Sequence, residues 1–239
     1  MRGEGGDAKT GTAEGPVKHF HGHRERLRQR ILKDGGAGLA DYELLELLLC
    51  AFIPRIDVKP VAKDLLQKFG SVSAVLAASP ERLMEVKGVG ETAAAYLRAT
   101  NLLLQQAGAD EVKDRPVISN WAALLNYVST KIKHEKTEQA RVLYLDRKNK
   151  LIADELAGQG TVDHAPIYPR EIARRALELS ASAVILVHNH PSGDPTPSRA
   201  DVELTRDIER ALAPFEIRVH DHLVVGARET VSMKAKGLL

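Results

Sequence analysis

The sequence predicts an α/β domain preceded by a small all-helical domain. Segment 41–104 carries apolar residues at helical spacing between Gly and Pro breaks, whereas helix and strand patterns are mixed from about residue 117 onward. A stretch of mainly small and polar residues, 108–116, separates the two patterns and predicts a linker. The 239 residues of the chain are also enough for two modest domains.

The composition restricts the class of protein further. Hydrophobic residues make up 44% and charged residues 28% of the chain, which is typical of a soluble globular protein. A formal net charge of +2 permits nucleic-acid binding but does not argue for it. No apolar run has the length of a spanning helix, the N-terminus lacks the apolar core of a signal peptide, and the single Cys50 cannot form an internal disulfide. We therefore expect a cytoplasmic protein without membrane contact.

The N-terminal part of the chain divides into a tail and a run of short helices. Residues 1–16 are rich in glycine and small polar residues, so we expect a disordered tail. The helical domain is predicted for 17–107. It opens with HFHGHRERLRQRILK, which indicates either a phosphate- or partner-binding surface or an ordinary solvated helix. Further helical patterns follow at 41–53, 58–70, 71–79, 81–86 and 91–106.

Two glycines between short helices form the most informative feature of the helical domain. In LMEVKGVGETAAAYLRA, Gly88 and Gly90 allow a tight turn, and the amides that begin the second helix can hold a phosphate oxygen. The segment resembles a helix-hairpin-helix, a module with which many DNA-repair proteins contact the DNA backbone, and Lys87 would add positive charge. The same hairpin also serves as plain helix packing or as a protein contact.

The second predicted domain, 117–239, mixes helices and strands. WAALLNYVSTKI predicts an amphipathic helix, RVLYLDRKNKLIADEL a hairpin turning at Lys148 and Asn149, and YPREIARRALELSA another helix. Strands are expected at 183–187 and at about 216–226. An exposed edge of the sheet would allow pairing with a second copy of the chain, which leaves a homo-oligomer open.

Two histidines and a downstream aspartate form the pattern with the clearest chemistry. His188 and His190 follow the predicted strand 183–187, and in an extended chain their imidazoles point to the same side. A loop rich in Pro and Gly leads to Ser198 and Asp201 in the first turn of a predicted helix. Two nitrogens and one carboxylate would leave the fourth tetrahedral position of a zinc ion open, as in catalytic sites. We predict His188, His190 and Asp201 as ligands of one zinc ion per chain.

Each residue of this pattern also has an ordinary structural explanation. Paired histidines on a strand are more often edge or core residues than metal ligands. Ser198 is a typical helix N-cap, and the helix dipole favours an acidic Asp201 in the first turn. Capping and metal binding are compatible, because the cap would hold the carboxylate rigidly.

The segment HNHPSGDPTPSRAD fits the H-x-H-x7-S-x2-D signature of the JAMM (MPN-plus) metalloproteases, and within them it resembles the RadC proteins of bacteria. The resemblance extends to RVLYLDRKNKLI, IYPREIARRAL and DHLVVG and covers about residues 18–239. It implies a cytidine-deaminase-like JAMM (MPN) fold for the second domain and a zinc-dependent peptidase or isopeptidase activity. Cytidine deaminases themselves use His/Cys/Cys ligands, and the only cysteine here lies in the helical domain. The family uses only the earlier histidine pair, so His220 and His222 are expected to make structural hydrogen bonds.

The chemistry of this family also needs a carboxylate outside the metal shell to move a proton. In the family this glutamate stands just before the first strand of the domain, which corresponds to Glu138, with Glu135 as the fallback. Glu171, at a predicted helix start, is better explained by its favourable charge near the helix N-terminus. From spacing alone, a glutamate in KHEKTEQ is most often a solvated charge. The resemblance assigns Ser198 a hydrogen bond to the developing oxyanion.

The sequence is compatible with three hypotheses about the function. The leading one is a zinc-dependent peptidase or isopeptidase with a helical adaptor, acting on a protein or peptide that the sequence does not identify. The second is a DNA-associated accessory protein that binds DNA through Lys87, Gly88 and Gly90, with a structural metal site. The third is a metal-dependent nuclease.

Overall fold

The computed structural model describes residues 20–54, 56–114, 116–160 and 167–239 of the chain. The predicted disordered tail, 1–16, lies outside these residues. The helices are α1 Phe20–Asp34, α2 Asp41–Phe52, α3 Lys59–Phe69, α4 Val72–Ala77, α5 Pro80–Met84, α6 Glu91–Asp114, α7 Trp121–Ile132, α8 Pro169–Glu178 and α9 Arg199–Leu212. The strands are β1 Gln139–Leu145, β2 Leu151–Gln159, β3 Ala183–Asn189, β4 Arg218–Val225 and β5 Thr230–Ser232. This order confirms the predicted class, a helical region followed by an α/β region.

The chain divides into two compact units. The first comprises the described residues up to Val72 together with Glu81–Ala94, and the second comprises Ser73–Pro80 and Ala95–Leu239. The domain boundaries that the sequence indicates at 107 and 117 stay a prediction. Within the described residues, no helix combines the length and the apolar character that crossing a membrane requires.

The first unit consists of short helices whose ends follow local sequence signals. A proline in the first turn begins α3, and Gly70, with a φ of 86°, ends it as a left-handed cap. Helix α2 packs against α1 and α3. One apolar side of these helices is buried, which explains why the spacing predicted helices; the buried residues include Leu27, Leu45, Leu49, Val61, Leu65 and Leu83.

The turn between α5 and α6 contains the two glycines of the predicted hairpin. Lys87, Gly88 and Gly90 are exposed, whereas Val86 and Val89 are buried. Gly88 has a φ of 95°, and a Cβ added to it would lie 2.9 Å from a Cγ atom of Val61. The tight turn therefore needs a glycine at this position. A DNA contact by Lys87, Gly88 and Gly90 stays a prediction.

Replacing Gly88 by alanine is expected to lower the free energy of unfolding by about 1–2 kcal/mol, because a positive φ is costly for a residue with a Cβ. Gly90→Ala is the matched control, since its added Cβ meets nothing within 4 Å. We expect Gly90→Ala to change stability by about 0.5 kcal/mol or less. Urea denaturation measures both variants, and equal losses would contradict this account of the turn.

The end of α6 differs from the sequence prediction. Residues 108–114, which the sequence assigns to a linker, continue the helix. Val112 is buried in the same apolar cluster as Leu124 and Val128 of α7. The segment AGADEVKDRP has few apolar residues and a weak local pattern, so this packing, rather than propensity, stabilises the last turns of α6.

The described strands of the second unit form one mixed sheet in the order β2-β1-β3-β4-β5. Strand β1 pairs antiparallel with β2 and β3, β3 pairs parallel with β4, and β4 pairs antiparallel with β5. The predicted hairpin joins β1 and β2, and Asn149 adopts a φ of 58° in its turn. Helix α9 provides the crossover that a parallel β3–β4 pair requires, so both strands end at the same edge of the sheet.

Helices cover both faces of this sheet. Ile185 and Val187 of β3 belong to the core formed with α7 and the end of α6. Val184 and Leu186 belong to the core formed with α8 and α9. Because side chains alternate along a strand, His188 extends the row of Val184 and Leu186 on the α8/α9 face.

Candidate metal centre

The three residues that the sequence predicts as ligands converge at the end of β3. His188 Nε2 lies 2.9 Å from His190 Nε2 and 3.4 Å from one carboxylate oxygen of Asp201. The other carboxylate oxygen lies 3.7 Å from His190 Nε2. In the part of the chain that the structure describes, this is the one group of three or more His, Cys, Asp or Glu side chains with the geometry to hold a metal ion.

Strand pairing and a helix cap produce this convergence. The amide of His190 donates to the carbonyl of Val225 at 3.0 Å, which continues the pairing with β4 beyond His188. Ser198 is the N-cap of α9, and its hydroxyl oxygen accepts from the Asp201 amide at 3.2 Å. The Asp201 carboxylate accepts from the Ser198 amide at 2.7 Å, so the two residues form a reciprocal capping box. The cap fixes the carboxylate at the start of the helix, next to the histidines.

The loop that follows His190 packs closely against the turn after β4. The amide of Ala227 donates to the carbonyl of Gly193 at 2.9 Å. A Cβ added to Gly226 would lie 2.7 Å from the Gly193 carbonyl oxygen and 2.8 Å from Pro195. Only a residue without a side chain permits this approach, so Gly226 helps to hold the loop that leads back to α9. The sequence pattern did not identify this role.

A hydrogen bond to a residue outside the three-ligand group determines which ring nitrogen of His190 carries a hydrogen. Its Nδ1 lies 2.7 Å from the carbonyl oxygen of Asp194, and a carbonyl only accepts, so Nδ1 carries a hydrogen. In the neutral ring the Nε2 lone pair then faces His188 and Asp201. The neighbouring Asp201 carboxylate raises the pKa of His190, and the negative charge of Glu138 adds to this effect. The cluster therefore stabilises a positive charge, whether a proton or a metal ion.

Burial and charge set the protonation of the other two residues. Burial lowers the pKa of His188 to about 4, so its ring is neutral at physiological pH. Burial by itself would raise the pKa of Asp201. The nearby His190 ring and the hydrogen bonds that Ser198 donates outweigh it and hold that pKa well below its usual range. A neutral imidazole and an ionised carboxylate are the forms that bind metals.

The donor atoms fit a divalent transition metal. Around a tetrahedral zinc ion with usual bond lengths, donor atoms are about 3.3 Å apart. The two histidine nitrogens are 2.9 Å apart, and each lies 3.4 or 3.7 Å from a different oxygen of the Asp201 carboxylate, so the distances lie on both sides of this value. The side chains of His190 and Asp201 retain 19% and 13% exposure, so the site can be reached from solvent. This His-His-Asp group can hold a metal ion.

Glu138 stands immediately before β1, where its charge acts on His190. Its carbonyl accepts from the Gly160 amide at 2.9 Å, next to the end of β2. Glu135, the fallback for the proton-transfer role, lies three residues earlier and is exposed. Glu171 lies in the first turn of α8 and pairs with Arg174, which agrees with a favourable helix-end charge. The base role of Glu138 stays a prediction.

Asn189, between the two histidines, holds the segment that carries Glu138. The residue is 1% exposed, and its Oδ1 accepts from the Gln139 amide at 2.8 Å. Its Nδ2 donates to the carbonyls of Glu135 and Thr137 at 3.3 and 3.2 Å. These bonds attach the segment before β1 to the strand that carries His188. The only sequence signal for this role is a polar residue at the end of an apolar strand.

Ser198 lies exposed at the mouth of the cluster. Its hydroxyl donates to a carboxylate oxygen of Asp201 at 2.7 Å, in addition to its capping bonds. The structural explanation of Ser198 as a cap therefore holds, and its role at an oxyanion stays a prediction.

The second histidine pair separates into two environments. His220 Nε2 lies 2.6 Å from Asn149 Oδ1, towards the other end of β4. His222 is buried beside the cluster, with Nε2 2.8 Å from His188 Nδ1 and Nδ1 2.7 Å from Thr205 Oγ1. Burial lowers the pKa of His222 to about 3, so its ring is neutral. Neither histidine belongs to the three-ligand group, but His222 contacts one member of it, which the sequence pattern did not reveal.

Known proteins share both parts of this chain. Residues 118–238 match the family of RadC-like JAB domains, and residues 20–95 match the UPF0758 N-terminal family. A UPF0758 protein of Ruegeria pomeroyi is 53% identical over 221 residues, which cover 92% of this chain and 99% of that protein. A UPF0758 protein of Rhodobacter capsulatus is 54% identical over 213 residues, which cover 89% of this chain and 100% of that protein. With its His-His-Asp cluster at the end of β3, the chain belongs to the RadC family.

Proposed function

We propose that this protein is a zinc-dependent hydrolase that cuts a peptide or isopeptide bond. The observation that carries the proposal is the convergence of His188, His190 and Asp201 at a place that solvent reaches. Three protein ligands with one position open are typical of catalytic zinc sites, whereas structural sites are closed by four. We propose one zinc ion per chain.

Each residue around the cluster has a role in this proposal. A zinc ion held here would polarise the carbonyl of the scissile bond and lower the pKa of a water molecule. Glu138 takes the proton that the attacking water loses and gives it to the leaving amine. Ser198 lies at the exposed side of the cluster, and its single hydroxyl hydrogen, which Asp201 accepts in this structure, turns from that carboxylate to the developing oxyanion.

A carbonyl substrate is favoured over a phosphodiester. Nucleases commonly hold two metal ions about 3.5–4 Å apart, which requires several carboxylates. The described residues provide one three-ligand group with a single carboxylate. Binding of DNA through the hairpin of the first unit is compatible with this proposal and is the second candidate for that unit. Its test is DNA binding by Gly88→Ala and Gly90→Ala variants against the wild type.

The first test is the zinc content of the purified protein. Without chelators in purification, we expect one zinc per wild-type chain and none in the His188→Ala/His190→Ala variant, which removes two of three ligands. His220→Ala is the matched control, because this histidine bonds to Asn149 and lies outside the cluster. We expect it to keep its zinc. Elemental analysis by mass spectrometry gives all three values.

The zinc-loaded protein is then incubated with a mixed library of unstructured peptides, and new termini are identified by mass spectrometry. Cleavage that a chelator abolishes and added zinc restores is the expected result. A wild-type protein without zinc, or zinc retained in the double variant, would refute the metal site. DNA cleavage that depends on His188 and His190 in place of peptide cleavage would establish the nuclease instead.

A further inference from the structure

Three buried polar side chains connect a proposed metal ligand to helix α9. His188, His222 and Thr205 are 2%, 2% and 0% exposed. His188 Nδ1 lies 2.8 Å from His222 Nε2, and His222 Nδ1 lies 2.7 Å from Thr205 Oγ1. Thr205 Oγ1 in turn lies 2.6 Å from the carbonyl oxygen of Asp201. Because these side chains are shielded from water, the polar atoms that face one another along this row have to form hydrogen bonds with one another.

The last partner in the row determines the direction of every hydrogen bond. The Asp201 carbonyl can only accept, so Thr205 donates its single hydroxyl hydrogen to it. The Thr205 oxygen is then left to accept, and His222 must carry a hydrogen on Nδ1. In a neutral His222 the Nε2 atom is an acceptor, which requires His188 to donate from Nδ1.

The resulting tautomer of His188 is the one that a metal ligand needs. With the hydrogen on Nδ1, the lone pair of Nε2 is directed to the cluster, 2.9 Å from Nε2 of His190 and 3.4 Å from a carboxylate oxygen of Asp201. A metal ion, or a hydrogen on Nε2 of His190, then lies between the two ring nitrogens. If each hydrogen bond of the row ran in the opposite direction, Nε2 of His188 would carry the hydrogen and could not bind a metal. Hydrogen-bond partners of this kind orient metal-binding histidines, and their loss typically lowers metal affinity about 10- to 100-fold.

We propose that Thr205 and His222 are positioning residues that hold His188 in the Nδ1–H tautomer and so present its Nε2 atom to the metal. The effect on zinc rests on the proposed function, whereas the tautomer does not. The proposal also explains why a third histidine at the cluster is not a ligand: both ring nitrogens of His222 are engaged, one with His188 and one with Thr205.

The test measures ring tautomers by nitrogen-15 NMR in metal-free protein at about pH 8, where ordinary histidines are neutral. We expect Nδ1–H signals for both His188 and His222 in the wild type. Thr205→Val keeps the shape of the side chain but removes the acceptor, so the His222 signals should change. Its zinc affinity, measured by competition with a chromophoric chelator, should fall about 10- to 100-fold. Thr205→Ser restores the hydroxyl, and its affinity should stay within about threefold of the wild type.

An Nε2–H signal for His188 in the metal-free wild type would overturn the proposal, as would a Thr205→Val variant with unchanged ring signals and zinc affinity. If Thr205→Val does not fold, His222→Gln and His222→Leu replace it. Glutamine offers an oxygen that accepts from His188 and leucine does not, so leucine should bind zinc about tenfold more weakly. An equal loss of zinc affinity in His222→Gln and His222→Leu would also overturn the proposal. A wild type with the expected tautomers but no zinc would uphold this row of hydrogen bonds and refute the proposed function.

Discussion

Replacing Glu138 by glutamine is expected to lower kcat about 100- to 10,000-fold, the usual contribution of a general acid–base group. Glutamine has the shape of glutamate but cannot take a proton from water. Because Glu138 does not belong to the three-ligand group, the variant should keep its zinc. Cleavage of a peptide that the wild type cuts, together with the zinc content, measures both effects.

Glu135→Gln is the matched control for Glu138→Gln. Both residues lie in the segment before β1, but Glu135 is exposed and the bond it receives from Asn189 is to its main-chain carbonyl. The substitution leaves that bond intact, so kcat should stay within about threefold of the wild type. A large loss in Glu135→Gln with full activity in Glu138→Gln would move the base role to Glu135. Full activity in both variants would leave the proposed mechanism without its base.

Replacing the buried Asn189 by leucine is expected to lower the free energy of unfolding by about 2 kcal/mol, since the Gln139 amide loses its acceptor and the Glu135 and Thr137 carbonyls lose a donor. Leucine is close to asparagine in shape, so the loss of polar contacts dominates. The amide of Gln139 should exchange its hydrogen faster, because its partner is the Asn189 side chain. If this side chain also holds Glu138 near His190, kcat should fall at least about tenfold while zinc stays bound.

Gln159→Ala is the control for Asn189→Leu. It removes an exposed hydrogen bond to Thr137 in the same segment, at 3.4 Å. Stability should change by about 0.5 kcal/mol or less, and kcat should remain near the wild-type value. If Asn189→Leu has the stability of the wild type and its Gln139 amide exchanges hydrogen at the wild-type rate, the segment before β1 is held by other contacts.

Local sequence patterns predicted most elements of the fold. The segment WAALLNYVSTKI corresponds to α7, and the expected strand 183–187 lies within β3. Strand β5 was not predicted, and the end of α6 differs from the prediction because Val112 is buried by residues of α7 that the pattern of its own segment does not contain. Spacing and capping depend on neighbours within a few residues along the chain, so a pattern can report them.

The sequence by itself determined the family, the helical and α/β regions and the three residues that converge as candidate ligands. His188 and His190 share a face through strand alternation, and the cap at Ser198 directs Asp201, so both relations are local. The contacts that surround the ligands were decided only by the tertiary structure. His188 meets His222 across 34 positions, and Asn189 meets Gln139 across 50. These pairs depend on the register of neighbouring strands and on the crossover of α9, which no local pattern specifies.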